Sequence, residues 1–147
     1  MNIVFVCTGN TCRSPMAEGF ARHYLSSEQG ADCVISRGLF VAPGSVVSAN
    51  SVLAMKEHGI DISHHIPTAF SSKDIANTDI VLTMTSSHSD YVKKIFPEYS
   101  HIIFSLSEYL DVDDISDPYG CEPDVYINCA HEIQEAIKKL VKKLNHE

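Results

Sequence analysis

The chain has no tryptophan, few basic residues and no long apolar run. Lysine and arginine number 11 against 19 aspartates and glutamates, for a formal net charge of −8. That balance excludes a broad basic surface, so neither nucleic acid nor an anionic membrane is expected as a partner. A local anion site is not excluded. No apolar stretch approaches the roughly 20 residues of a membrane span. Met1-Asn2 runs straight into a short apolar segment without a basic start, so no secretory leader is read and a cytoplasmic location is expected. The 5 cysteines are an odd number, which suits a reducing compartment better than a disulfide framework. No metal-ligand spacing stands out. His64 and His65 are adjacent, so in an extended segment they point opposite ways and both are expected at the surface. Neither a metal nor another cofactor is expected. With 147 residues, 44% of them hydrophobic, and no repeat, low-complexity tract or linker, one domain with one core is expected over residues 1–147. A monomer is expected.

What is present concentrates near the start. Ile3-Val4-Phe5-Val6 reads as a buried strand and is followed by Cys7-Thr8-Gly9-Asn10-Thr11-Cys12-Arg13-Ser14-Pro15, then by a helical pattern. A short loop between strand and helix turns successive backbone N–H groups inward, and at a helix N-terminus such a nest binds a phosphate-like dianion. Arg13 has the planar fork to grip two equatorial oxygens, and Cys7 would sit beneath the phosphorus. A helix N-terminus and an arginine stabilise a thiolate, so Cys7 is expected to be anionic near neutral pH. Gly9 and Asn10 tolerate left-handed backbone. Ser14 has two competing roles: helix N-cap ahead of Pro15, or donor to the thiolate. No lysine follows in a GK[ST] pattern, which excludes a nucleotide P-loop.

Strands and helices alternate along the rest. Helices are expected over Pro15–Ser27, Ser48–His58 (closed by Gly59), Ser71–Asn77, Ser87–Phe96 (stopped by Pro97) and Pro123–Leu144, with a helical turn over Leu106–Leu110. The last helix has apolar positions including Val125, Ile133, Ala136, Ile137, Leu140 and Leu144, and lysines near its C-terminus that suit its dipole as a solvated end. Strands are expected over Cys33–Arg37, after Gly30, over Asp79–Met84 and over His101–Phe104. Cys33 is expected to be a buried small hydrophobe. Asp111–Pro123 is acidic and turn-rich, hence a loop. This alternation argues for an α/β, doubly wound parallel sheet with helices on both faces, and such folds place ligands at the carboxyl ends of the strands, where the first loop opens.

The stretch CTGNTCRSPMAE at Cys7 to Glu18, with DPYG at Asp117 to Gly120, resembles the low-molecular-weight protein tyrosine phosphatases, and within them the bacterial branch that includes protein-arginine phosphatases. The resemblance covers essentially the whole chain and implies a four-stranded sheet. A cysteinyl phosphatase needs an acid for the leaving group and later a base for water. From the residues alone Asp117 competes with Asp111, Asp113 and Asp114; the resemblance implies Asp117, which Pro118 restrains to extended backbone. It further implies Cys7 as nucleophile, Arg13 and the loop residues Thr8, Gly9, Asn10, Thr11, Cys12 and Ser14 as the phosphoryl cradle, and phosphorylated proteins as substrates. A reversible Cys7–Cys12 disulfide guarding the nucleophile is implied in the same way.

Thr11 departs from the tyrosine-specific relatives, which usually carry a larger aliphatic residue there, and agrees with the arginine phosphatases. Thr leaves room for a guanidinium. Phe40 and Tyr119 are expected pocket walls, since aromatic faces suit a phenyl ring or a guanidinium. Asp111–Asp117 offers acidic partners to a guanidinium. The leading expectation is a protein-arginine phosphatase, with an aryl-specific tyrosine phosphatase as the alternative. Thioredoxin-coupled arsenate reductases share a similar loop but add a cysteine pair after the third strand. Asp79–Asp90 contains none, and Cys121 and Cys129 lie beyond DPYG. A noncatalytic anion-binding module would not need the nucleophile. Arg37, where relatives commonly have Ala, either attracts the anion or points to solvent.

Overall fold

A computed structural model describes residues 1–25 and 33–146. Strands β1 (Ile3–Cys7), β2 (Val34–Gly38), β3 (Ile80–Thr83) and β4 (Ile103–Ser105) form one sheet in the order β2-β1-β3-β4. Every pairing is parallel, with Ile3 opposite both Val34 and Ile80, and Val81 opposite Ile103. The chain passes from β1 outward to β2, then returns to build β3 and β4 on the other side. The switch of direction lies at the carboxyl end of β1, where doubly wound sheets open a crevice.

Helices α1 (Arg13–Tyr24), α2 (Ala49–Lys56), α3 (Ser72–Ala76), α4 (Ser86–Ile95), α5 (Leu106–Leu110) and α6 (Pro123–Asn145) flank the sheet. Strand alternation divides them. Ile3, Phe5 and Cys7 face a core shared with α1, α2, α5 and α6, while Val4 and Val6 face Ile75 of α3 and Val92 of α4. Cys7 therefore ends the row that is backed by α1 and α6, and these two helices pack on each other. Phe5, Met16, Phe20, Ile133 and Ile137 are fully buried in that layer, each contributing about 1.5–3 kcal/mol of apolar burial. The Lys138–Glu135 pair is exposed and the Arg22–Glu18 pair is exposed on its arginine side only; an exposed pair contributes at most about 1 kcal/mol. Packing, not ion pairing, fixes the flanks of the first loop.

Capping decides most helix starts. The Ser48 hydroxyl accepts from the Ser51 N–H at the start of α2, Ser71 and Asp74 form a capping box on α3, and Thr85 and Ser105 cap α4 and α5. Gly59, expected to close α2, has φ +74°, the left-handed backbone of a helix stop.

Several expected boundaries move. α1 begins at Arg13, two residues earlier than expected, with Cys12 as an N-cap that makes no side-chain bond. Its expected end at Ser26 and Ser27, like Gly30, lies outside the described residues. Cys33 is exposed in the turn before β2, outside the strand alternation that would have buried it. His101 and Ile102 belong to a 3₁₀ turn over Pro97–Ile102, so β4 starts at Ile103. Val125 is 41% exposed, because the buried stripe of α6 runs through Tyr126, Ala130, Ile133, Ile137 and Leu140 and passes it by one residue. Lys143 is not a freely solvated helix end: its Nζ donates to the Tyr109 carbonyl at 2.9 Å and stands 3.9 Å over that ring. No described helix is long and apolar enough to cross a membrane.

Candidate active site

Residues 8–12 connect β1 to α1. Among the described residues, none of the backbone N–H groups of Thr8, Gly9, Asn10, Thr11 and Cys12 donates to a backbone carbonyl. Buried or enclosed amides without carbonyl partners are a nest for an anion. Asn10 alone in the loop takes a left-handed backbone, φ +57°; Gly9, expected to share that role, does not. Gly38 at the end of β2 lets the loop close on the sheet: a Cβ there would come within 3.0 Å of the Asn10 backbone nitrogen and 2.7 Å of Val41.

The Asn10 side chain is fully buried and holds the loop from behind. Its Oδ1 accepts from the Thr68 N–H at 2.9 Å, which settles the orientation of the amide. Its Nδ2 then donates to Ser14 Oγ at 2.8 Å and to Ser36 Oγ at 3.0 Å, and the Ser36 hydroxyl passes its own proton to Glu18 at 2.8 Å. Ser14 Oγ accepts from Asn10, and of the two acceptors within reach of its hydroxyl proton Cys7 Sγ at 2.9 Å is nearer than the Arg37 carbonyl at 3.5 Å. Of the two roles read for Ser14, the structure has the donor to sulfur and not the N-cap. The side chains of Asn10 and Ser14 stand behind the loop and do not line the cavity in front of it, which leaves their backbone N–H groups as what they offer an anion.

Cys7 is 3% exposed, and that burial pushes its thiol up, against the lowering pull of Ser14, Arg13 and the N–H of Asn10. The sequence reading weighed only the helix N-terminus and the arginine; burial opposes both. Iodoacetamide alkylation of Cys7 is expected to keep accelerating above the pH range of an ordinary thiol. Ser14→Ala should slow it at neutral pH by about tenfold, as loss of a hydrogen bond to a charged acceptor implies; an unchanged rate would remove Ser14 from this role.

Arg13 is buried at the first turn of α1. Its Nη1 donates to the Ile115 carbonyl at 2.8 Å, and its Nη2 lies 3.6 Å from Asp117 Oδ2. Asp117 accepts from the Tyr119 N–H at 3.1 Å through Oδ1, an Asx turn anchored by the buried Pro118. Its rivals are engaged elsewhere or turned away. Asp114 accepts from the N–H and hydroxyl of Ser86 and from Ser107, and Asp111 is the left-handed C-cap of α5. Asp113 does not line the cavity. Arg37, left open between two roles, does neither: it pairs with Asp74 at 3.1 Å.

These elements surround a cavity of about 290 Å³ lined by Cys7, Thr8, Gly9, Thr11, Cys12, Arg13, Phe40, Ala42, Ser45, Asp117 and Tyr119. Cys7, 3% exposed, is the most deeply buried residue of that lining. Phe40, 60% exposed, and Tyr119, 77% exposed, are the aromatic residues among its lining, and the Phe40 ring meets Tyr91 of α4 at 5.2 Å. The site thus offers a buried sulfur, amides without backbone carbonyl partners and a guanidinium, a carboxylate at the side, and flat apolar walls at the mouth.

Two histidines were missed. His65 is half-buried, not a surface residue; its Nε2 lies 3.1 Å from Asn10 Oδ1 and 3.2 Å from the Asn10 carbonyl, so it donates to both. His64 is exposed as expected. His88 touches Thr8. No spacing rule marks either, because both contacts form only when distant segments pack.

The family described as low molecular weight phosphotyrosine protein phosphatase matches residues 2–147. The chain is 34% identical to a protein-arginine-phosphatase of Bacillus subtilis, over 100% of this chain and 99% of that one. It is 36% identical to the low molecular weight protein-tyrosine-phosphatase PtpB of Staphylococcus epidermidis, over 100% of both. The structure of the YwlE arginine phosphatase from Geobacillus stearothermophilus superposes with a TM-score of 0.87 at 36% identity, covering 99% of this chain and 93% of that one.

Proposed function

Because the chain belongs to the low molecular weight phosphotyrosine protein phosphatase family, whose matched relatives carry both arginine- and tyrosine-phosphatase names, we propose that this cysteinyl protein phosphatase removes phosphate from phosphoarginine in proteins. Residues 1–147 act as one catalytic domain. The loop amides and Arg13 hold the phosphoryl group and stabilise its equatorial oxygens as charge spreads in the transition state. Cys7 attacks in line as the thiolate, its proton having been released to solvent, the P–N bond breaks, and Asp117 in its acid form protonates the departing guanidine nitrogen. Asp117 then takes a proton from the water that hydrolyses the phosphocysteine.

The observation that carries the arginine reading is Thr11 in the cavity wall, its hydroxyl 3.5 Å from Cys12 Sγ. A short polar side chain there leaves width and a hydrogen-bonding oxygen for a planar, multiply donating guanidinium. Hydrolysis of phosphoarginine and phosphotyrosine peptides, measured side by side under reducing conditions with Cys7→Ser as blank, tests it. A preference for phosphoarginine is expected. Thr11→Ile should cut the ratio of kcat/KM values by about 10–200-fold, the scale of one side chain filling a pocket. A phosphotyrosine preference in the unaltered protein would reject the arginine assignment and leave the cysteine mechanism standing.

Cys7 and Cys12 both line the cavity as free thiols, which supports a reversible bridge between them. Peroxide inactivation is expected to be reversed by dithiothreitol in the unaltered protein and to become irreversible in Cys12→Ser, where no second thiol intercepts the sulfenic acid. Full recovery of Cys12→Ser would refute the bridge.

A further inference from the structure

His88 sits in the first turn of α4, 80 residues from Thr8 in the chain, with its Nε2 2.9 Å from Thr8 Oγ1. The residue is 9% exposed, and its Nδ1 has no hydrogen-bond partner among the described residues. That unpartnered nitrogen selects the tautomer. With the proton on Nδ1, a buried N–H would have no acceptor. With the proton on Nε2, only a lone pair is left alone, and orphaned N–H groups are the rarer and costlier case. Nε2 therefore donates and Thr8 Oγ1 accepts. The Thr8 hydroxyl proton is then free to point elsewhere.

Thr8 is exposed, follows the nucleophile directly and lines the cavity. The charged groups facing His88 are Arg13, Asp117 and Asp114; burial and Arg13 hold the imidazole down at about 4 against the two carboxylates, so it is neutral in the working range. A neutral donor of fixed tautomer beside the phosphoryl cradle has one consequence for a bound dianion.

We propose that His88 is a positioning residue for the phosphoryl site: it holds Thr8 Oγ1 as the acceptor of its own N–H, so that the Thr8 hydroxyl donates to a phosphoryl oxygen of the substrate. This rests on the reading of residues 7–13 as that cradle, and not on which phosphoresidue is preferred.

The test uses the full chain, para-nitrophenyl phosphate as substrate and inorganic phosphate as competing anion. Thr8→Val is expected to raise KM and the phosphate inhibition constant about tenfold, the scale of one hydrogen bond to a charged acceptor, with kcat changed much less; Thr8→Ser should restore both. His88→Phe should match Thr8→Val, and the double variant should be no worse than either alone. His88→Gln, whose amide still donates, should recover part of the loss and covers the case in which the phenylalanine variant does not fold. Nitrogen-15 NMR of the unaltered protein should show the His88 proton on Nε2. A proton on Nδ1, additive single effects, or a phosphate constant in Thr8→Val within about twofold of the unaltered protein would overturn the proposal. Hydrolysis surviving Cys7→Ser would instead overturn the phosphatase reading beneath it.

Discussion

Asp117→Asn is expected to lower kcat on a phosphoarginine peptide by about 10²–10⁴-fold, the range of a positioned general acid, and to lower kcat on para-nitrophenyl phosphate far less. The difference lies in the leaving groups. A guanidine leaves only if its nitrogen is protonated as the P–N bond breaks, because the anion it would otherwise form is far too basic, whereas a nitrophenolate departs unaided. Asparagine keeps the shape and the acceptor oxygen for the Tyr119 N–H, so the Asx turn survives. The lost contact to Arg13 is 3.6 Å long with Asp117 half exposed, worth at most about 1 kcal/mol, so the melting temperature should barely move. Equal losses on the two substrates would mean that Asp117 serves mainly to hold Arg13. In the proposed mechanism the same residue activates water in the second step, so the variant should also accumulate phosphoenzyme, seen as a burst on the nitrophenyl substrate.

The parts of the site that the sequence exposes are those written into consecutive residues. An apolar strand, a Gly-Asn pair, Arg13 and Ser-Pro before a helix are contiguous, and parallel strands alternating with capped helices follow from periodicity and from Ser48, Ser71 and Gly59. Asp117 emerged from three rivals only through the DPYG resemblance. Its position on the cavity wall depends on the buried Pro118 and on Asp114 being drawn off to Ser86 and Ser107, and neither shows in spacing. What stayed hidden is carried by tertiary closure. His65 reaches Asn10 across 55 residues and His88 reaches Thr8 across 80. Isolated histidines in polar segments look like surface residues until the loop folds against them. The opposing pulls on Cys7 have a related origin: helix and arginine are visible in the sequence, but the depth of its burial is a property of the packed α1–α6 layer.

Arg13→Lys separates charge from geometry and is expected to lower kcat/KM by about 10²–10³-fold despite keeping the charge, the scale of losing a preorganised donor in the transition state. The guanidinium performs three tasks with one rigid fork: Nη1 donates to the Ile115 carbonyl, Nη2 faces Asp117, and the remaining N–H groups are available to equatorial phosphoryl oxygens. An ammonium is a point charge on a shorter reach and cannot span these directions at once. If it turns to substrate, the Ile115 carbonyl loses its donor and the segment carrying Asp117 loses its tether. The structural share is limited to about 1–3 kcal/mol, the cost of one buried acceptor left unpaired, and thermal unfolding measures it directly. Loss of activity with near-native stability would assign the effect to bidentate transition-state contact, and phosphate affinity close to that of the unaltered protein would strengthen that assignment, because charge alone suffices for ground-state binding. Full activity in the lysine variant would show that attraction, not the fork, is what Arg13 supplies.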